Sequence, residues 1–581
     1  MNVLRALSNI LLSVACTFVL LLTGACSHDP VVERGISDTE SNTSWSTDSD
    51  TGTGSSTTSS DDTAADDSDT SSISDDDTDT DTATDIDTSS ETATNDEIDT
   101  QTETDTSSDT GTGTTDDSDD TETSSDSDTV VDPDTATDSE SDTHTDTASD
   151  TDCILYVRQG MTNYTDHDGT QWSVAFEHIQ DAIDGARADI PCEIWVAEGT
   201  YLPTLQLNAA DERTKTFMLK KLSVSLYGGF AGFETVREDR RVNDNITVLS
   251  GDLEGNDDVD DADTLSDNTY HVVTAVSSAL ISGFTIQGGH ADNADASDLQ
   301  QSGASGGGLY SAGMAPVIEQ CRFINNAAEK RGGAVYLTGG NGGRISQCSF
   351  ENNTVTGGNG GALALTAQDS TYISHSLFKG NTSAGPGGAG FIVDSVGVTV
   401  TNSIFTSNRG SVGGALFVYT EAQNIHIDAN TFYSNSVQSM SSGTVHLGAI
   451  NGAMLTNNLF YENDEPEIFS TAITPLFRNN LLQSPCTIFV GADCDSSNIV
   501  NLNPRFTDAS NGDFSLSENS RCIDAGDASV GATDSIDLDG DNDTEENIPF
   551  DYLMESRVAD GDGDSQAVQD MGAVEYQPGL K

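Results

Sequence analysis

Six Phe-x-x-Asn units recur through the chain, at Phe323/Asn326, Phe350/Asn353, Phe378/Asn381, Phe405/Asn408, Phe432/Asn435 and Phe460/Asn463, with successive spacings of 27, 28, 27, 27 and 28 residues. A period that regular specifies a solenoid, whose units cannot bury their apolar faces alone. Each unit carries short β-type runs and no helical periodicity. The expected fold is therefore all-β, a parallel β-helix with one coil per unit.

One unit shows how a coil is built. Gly332-Gly333-Ala334-Val335-Tyr336-Leu337 reads as a strand, a Gly/Asn turn follows, and Ile345-Ser346-Gln347-Cys348-Ser349-Phe350 reads as a second strand. Phe350 is expected to point inward and Asn353 to close the corner. Stacked coils then give a Phe ladder and an Asn ladder, in which each amide bonds to its neighbours roughly 4.8 Å above and below. Gly-Gly pairs at 307/308, 332/333, 360/361, 387/388 and 413/414 mark a place where the backbone turns tightly or side chains have no room.

Composition divides the chain. Residues 31–152 hold 39 Asp plus Glu against the single Arg34, among Ser and Thr. That stretch lacks the apolar surface to offset ordering entropy and repels itself, so 26–152 is expected to be a disordered stalk. Residues 153–581 carry a net charge of −37, which argues against nucleic acid or an anionic membrane surface as a partner.

Arg5, the apolar run Ile10 to Leu22, and Leu22-Thr23-Gly24-Ala25-Cys26 stand at the start. This segment resembles a bacterial lipoprotein signal peptide. The resemblance implies cleavage of 1–25 and lipidation of Cys26, and the Ser27 that follows resembles the pattern of delivery to the outer membrane. Thirteen apolar residues are too few for a membrane span. The expected location is a lipid-anchored one in the outer membrane, with the stalk holding the folded part at the cell surface.

Seven cysteines remain after Cys16 and Cys26. Cys153 precedes Ile-Leu-Tyr-Val and Cys192 precedes Glu-Ile-Trp-Val. If these strands are parallel neighbours in register, the two thiols meet in a disulfide, which the compartment permits. Cys486 and Cys494 are candidates for a second bond closing a short loop, which leaves Cys522 free. Cys321 and Cys348 share one repeat position and are read as buried small hydrophobes.

Gly-Gly-Ala followed by Phe-x-x-Asn is similar to the repeats of polymorphic outer membrane proteins, and that family implies a right-handed coil. Asp168-Gly169-Thr170-Gln171-Trp172, Ile179-Gln180-Asp181-Ala182-Ile183 and Ile194-Trp195-Val196-Ala197-Glu198-Gly199-Thr200-Tyr201 resemble the N-terminal part of secreted β-helix proteins, where a short amphipathic helix caps the first coil. Asn503-Pro504-Arg505-Phe506, Cys522-Ile523-Asp524-Ala525-Gly526-Asp527 and Asp570-Met571-Gly572-Ala573-Val574-Glu575-Tyr576 resemble the choice-of-anchor Q type of C-terminal domain. The expected layout is a right-handed parallel β-helix of the pectate-lyase-like kind over 153–485 and a coil-capping, anchor-like segment over 486–581.

Between Asp537 and Asp564 lies an acidic insertion in which Asp537, Asp539, Asp541 and Asp543 alternate, and Asp560, Asp562 and Asp564 alternate again among glycines. Alternate carboxylates in a tight loop can converge on a hard cation, and Ca²⁺, which takes six to eight oxygens, is the cofactor they suggest, in a structural role. A second acidic loop, Asp252 to Asp261, reads as solvated.

β-Helices also host polysaccharide lyases and glycosidases. A lyase needs a base beside cations, and a hydrolase needs two separated carboxylates. Lys330, Arg331, Arg344, Lys379, Arg409 and Arg478 are scattered, and Asp394, Glu421 and Asp428 are isolated. His375, His426 and His446 read as satisfied structural groups. The expectation is a binding or adhesive surface protein for an extracellular polysaccharide or another surface ligand, with a carbohydrate-active enzyme as the alternative and no catalytic residue named.

Overall fold

The computed structural model describes residues 153–579, apart from 162–166, 222–223, 259–260, 277, 294–302, 440–441, 474 and 485–494. The chain separates into two units, Met1–Asp134 and Thr135–Lys581, and all described residues belong to the second. The expectations for Cys26, the signal peptide, the stalk and the Cys486–Cys494 bond lie outside the described residues.

Short strands stack coil upon coil into ladders of eleven, eleven, six and ten strands, parallel throughout except where Leu205–Asn208 edges the fourth antiparallel to Asp211–Leu219. The first ladder runs from Cys153–Val157 to Leu476–Arg478, the second from Gly199–Tyr201 to Ile499–Val500, and the third is made of two-residue strands from His290–Ala291 to Ser436–Val437. The fourth includes Asp211–Leu219 and ends at Ile468–Ser470. Alternation along each strand decides what enters the core. In the first ladder Ile281, Ile318, Ile345, Ile373, Val400 and Ile427 are in register and buried.

In the second ladder the inward position is phenylalanine. Phe323, Phe350, Phe378, Phe405, Phe432 and Phe460 stack with centroids 4.6–5.0 Å apart and rings within 13° of parallel. At the corner that follows, the Asn326, Asn353, Asn381, Asn408, Asn435 and Asn463 side chains form a buried ladder. Each of the first five donates its backbone N–H and its Nδ2–H to the next Oδ1, at 2.9–3.2 Å. The Nδ2 also donates to a carbonyl one coil earlier, as Asn381 does to Phe350 at 2.8 Å. Thus corner backbone that water cannot reach is satisfied.

The glycine pairs sit close beside the Asn ladder and the third ladder, where a Cβ on Gly308 would lie 3.2 Å from Asn326 Cγ. Gly360 has φ +74°, and a Cβ on Gly361 would lie 2.1 Å from the Gly388 carbonyl oxygen, so both positions require glycine.

At the N-terminal end Cys153 and Cys192 are register partners and form a disulfide. The short helix Ile179–Gly185 packs Ile179, Ala182 and Ile183 onto the core. Cys321, Cys348 and Cys522 are free and buried, and burial pushes the Cys321 and Cys522 thiols up to about 12, far from a reactive thiolate.

Candidate functional site

A second corner, between the first and second ladders, builds the surface of interest. Its ladder position runs Cys321, Cys348, Ser376, Ser403, Asn430, Asn458, Asn480 and Asn498. From Cys348 onward each residue donates its backbone N–H to the side-chain oxygen of the next, at 3.0–3.2 Å. The residue just before it on each coil takes a left-handed conformation, with φ between +43° and +57° at Gln320, Gln347, His375, Asn402, Ala429, Asn457 and Asn479. That conformation turns these side chains outward, and, Ala429 apart, their polar groups form a rail along the coil stack.

Two other parts of the chain dock on this rail. Arg240 of the leading loop donates to the Ser282 oxygens and, at 2.8 Å, to Gln320 Oε1. At the far end the C-terminal segment runs back along the coils as a strap. Asn479 donates to the Ala525 carbonyl, Asn457 exchanges bonds with Asp527, and Asn402 and His375 both bond to the Phe550 carbonyl. The strap also lays Phe514, Ala573 and Val574 against Ile404 of the second ladder. Of the segment 486–581, expected to cap the coils, residues 503–576 run along the side of the stack, where the outward corner amides and the apolar positions Leu377 and Ile404 give them a surface.

A buried ionic core holds the strap's own fold. Arg557, Asp570, Glu575 and Asp551 are all at most 3% exposed. Arg557 donates to the Asp570 and Gly572 carbonyls and lies 3.8 Å from Glu575. Burial raises both the Asp570 and the Glu575 carboxyl well above the usual carboxylate range, against the opposing pull of Arg557. A carboxyl whose folded pKa is raised supports the fold below its unfolded pKa and loses that support as pH rises through the folded value. Proteolysis of residues 503–576 is therefore expected to accelerate as pH rises from about 5 to about 9, while the Phe-ladder coils stay protected; equal strap cleavage at both ends of that range would refute it.

Between leading loop and strap the rail is uncovered over the Gln320 and Gln347 coils, leaving a groove of about 450 Å³. Its floor is a chain of hydrogen bonds. Gln320 Nε2 donates to Gln347 Oε1 at 3.0 Å, and Gln347 Nε2 reaches Met554 Sδ at 3.3 Å. Val242 and Asn243 form one wall, Tyr552, Leu553 and Met554 the other. Leu553 is 54% exposed and Met554 37%. Arg322 stands at the edge, half exposed and 3.5 Å from Glu351. The lining contains no Asp or Glu. His375 closes the end of the floor; burial lowers it to about 4, and with Nε2 3.2 Å from a carbonyl it is a neutral Nε2–H donor.

A second groove, of about 620 Å³, lies beyond, between Arg344, Tyr372 and Thr399 of the first ladder and Thr533, Ser535 and Ile536 of the strap. Arg344 is ion-paired with Glu319.

The other singled-out residues fall as follows. His446 is sandwiched between Phe417 and Phe469 at 4.9 and 4.7 Å, in an outward column with Tyr310, Tyr336 and Phe391 on the fourth ladder. His426 bonds to Thr456, and Asp428 accepts from Thr456, Asn457 and Ala532 as a strap anchor. Asp252 accepts the Gly255, Asn256 and Asp257 amides, so that acidic loop is self-capped.

The seven alternating aspartates do not converge on one point. Asp537, Asp539 and Asp541 group together, Asp560 and Asp562 group with Asp524, and Asp539 also meets Asp534 and Glu546. Asp543 and Asp564 instead cap the Glu545 and Gln566 amides. Sequence reading passed over Asp524, Asp534 and Glu546 because they stand outside the alternating runs.

Residues 272–460 match the family model described as the right handed beta helix region. The chain folds as a right-handed parallel β-helix. Solved structures to which the chain is similar include pectate lyase Pel9A, at 14% identity over 74% of this chain and 97% of that one, with a TM-score of 0.43. A pectin methylesterase in complex with hexasaccharide VII shares 11% identity over 58% of this chain and 80% of its own, with a TM-score of 0.25. A pectin methylesterase from Aspergillus niger in deglycosylated form shares 15% identity over 60% and 83%, with a TM-score of 0.20. No curated protein sequence matches the chain.

Proposed function

We propose that this β-helix is a surface lipoprotein, anchored in the outer membrane through Cys26 and displayed on the acidic stretch 26–152, that binds an extracellular polysaccharide without cleaving it. The observation that carries this reading is the floor of the Gln320–Gln347 groove. Side-chain amides, hydroxyl groups and one guanidinium are donors and acceptors suited to sugar hydroxyls, and the exposed Leu553 and Met554 offer apolar contact to a sugar face. A hydrolase would need two carboxylates facing the ligand, whereas this lining offers none. The net charge of −37 on residues 153–581 repels polyanions, so the ligand is a neutral glycan.

Gln347→Ala and Arg322→Ala test this reading. Each removes one or two ligand hydrogen bonds, about 1 kcal/mol apiece, so each variant should bind a retained neutral glycan about five- to thirtyfold more weakly in affinity electrophoresis. Unchanged mobility in both variants would remove the groove from consideration.

A further inference from the structure

We infer that the loop 534–546 of the strap is a binding site for a hard divalent cation of the calcium class, with Asp534, Asp539 and Glu546 as its ligands. Oxygens of these three carboxylates lie within 4.8 Å of one another. The decisive feature is Asp534, which is fully buried. Its Oδ2 accepts the Leu538 amide at 2.7 Å, but its Oδ1 is buried with no partner, and Glu546 Oε1 is in the same position. Buried carboxylate oxygens left unsatisfied are strongly unfavourable. The charges facing Asp534 are those of Asp539, Asp537 and Glu546, which add repulsion. A cation placed among the three removes both penalties at once.

The local fold prepares the arrangement. Thr533 and Asn547 form an antiparallel bridge, and the Asp534 amide donates to the Glu546 carbonyl at 2.8 Å. The two ends of the loop are thereby held together, bringing Asp534 beside Glu546, while Asp539 reaches back from the tip. An all-oxygen donor set without Cys or His selects a hard ion. Asp537 and Asp541, grouped with Asp539, extend the oxygen supply in the irregular manner that Ca²⁺ accepts and Mg²⁺ does not. Just outside the site Ala532 and Ile548 pack on Tyr372, and the Ala532 amide donates to buried Asp428 at 2.9 Å. The ion therefore fastens the strap to the first ladder and fixes the Thr533–Ile536 wall of the second groove.

The test uses the intact chain stripped with a chelator, titrated calorimetrically with CaCl₂ and separately with MgCl₂, with melting followed in parallel. One saturable Ca²⁺ site, far weaker Mg²⁺ binding and a Tm raised by several degrees are expected. Asp539→Asn, at an exposed position that leaves the buried contacts intact, should weaken this site by about tenfold or more, and Asp564→Asn should leave it unchanged. No saturable site, a site that Asp539→Asn leaves intact, or a chain stabilised by acid but not by calcium would overturn the inference; the last would mean that protons satisfy the buried oxygens.

Discussion

Phe378→Ala lowers stability by about 3–5 kcal/mol, the usual penalty for removing a fully buried phenylalanine from a packed interior. Phe378 is 1% exposed and stacks between Phe350 at 4.7 Å and Phe405 at 4.6 Å. Its neighbours cannot collapse into the space, because each is fixed by ring stacking to its own neighbour and by strand register on either side. Since a solenoid is held by contacts between adjacent coils, the damage should be sharpest between the coils of Phe350 and Phe405. Calorimetry would show a lowered and broadened transition, and hydrogen exchange would place the new opening at those coils. An unchanged Tm would contradict the inward ladder.

Asn381→Leu does more harm, although leucine is apolar and of similar size. Asn381 Oδ1 accepts both the backbone N–H and the Nδ2–H of Asn353, and its own Nδ2 donates to the Phe350 carbonyl and to Asn408. Replacing it leaves the Asn353 donors, the Phe350 carbonyl and one acceptor site on Asn408 without partners in a region water does not reach. Each orphaned group costs about 1–3 kcal/mol, so the sum exceeds the Phe378 effect. Asn381→Asp keeps the acceptor but turns a carboxylate oxygen toward the Phe350 carbonyl and Asn408 Oδ1, so in acid, where it is protonated and can still donate to one of them, it should fall between Asn381→Leu and the natural chain. Equal melting of the leucine and aspartate variants in acid would show that ladder hydrogen bonds contribute little.

The coil architecture was legible because its physics is periodic. Phe and Asn repeat every 27 or 28 residues with unchanged chemistry, so the row in register could be read along the chain. The second corner obeys the same rule and was missed because its side chain changes from Cys to Ser to Asn along the stack. Its later spacings also shorten, with Asn458 to Asn480 separated by 22 and Asn480 to Asn498 by 18. The path of the strap was not legible. His375 meets Phe550 and Gln347 meets Met554 across 175 and 207 residues, through bonds with no repeat to announce them.

The groove shares that cause, since its walls come from residues near 242 and 553 and only its floor belongs to the periodic part. The acidic insertion was visible by composition, and alternation picked out Asp537, Asp539 and Asp541, which group together, but not Asp534 or Glu546. What brings Asp534 to Glu546 is a bridge between the ends of the loop, and such closure leaves no spacing signature.

The most direct test of the account is to incubate the intact chain with insoluble neutral polysaccharides and measure retention of protein and release of soluble or unsaturated fragments in the same tube, beside Gln347→Ala and Arg322→Ala. Retention that weakens in both variants, with no fragments released, is the predicted result. Fragments released by the natural chain, or retention indifferent to both substitutions, would contradict a non-catalytic glycan-binding groove on this β-helix.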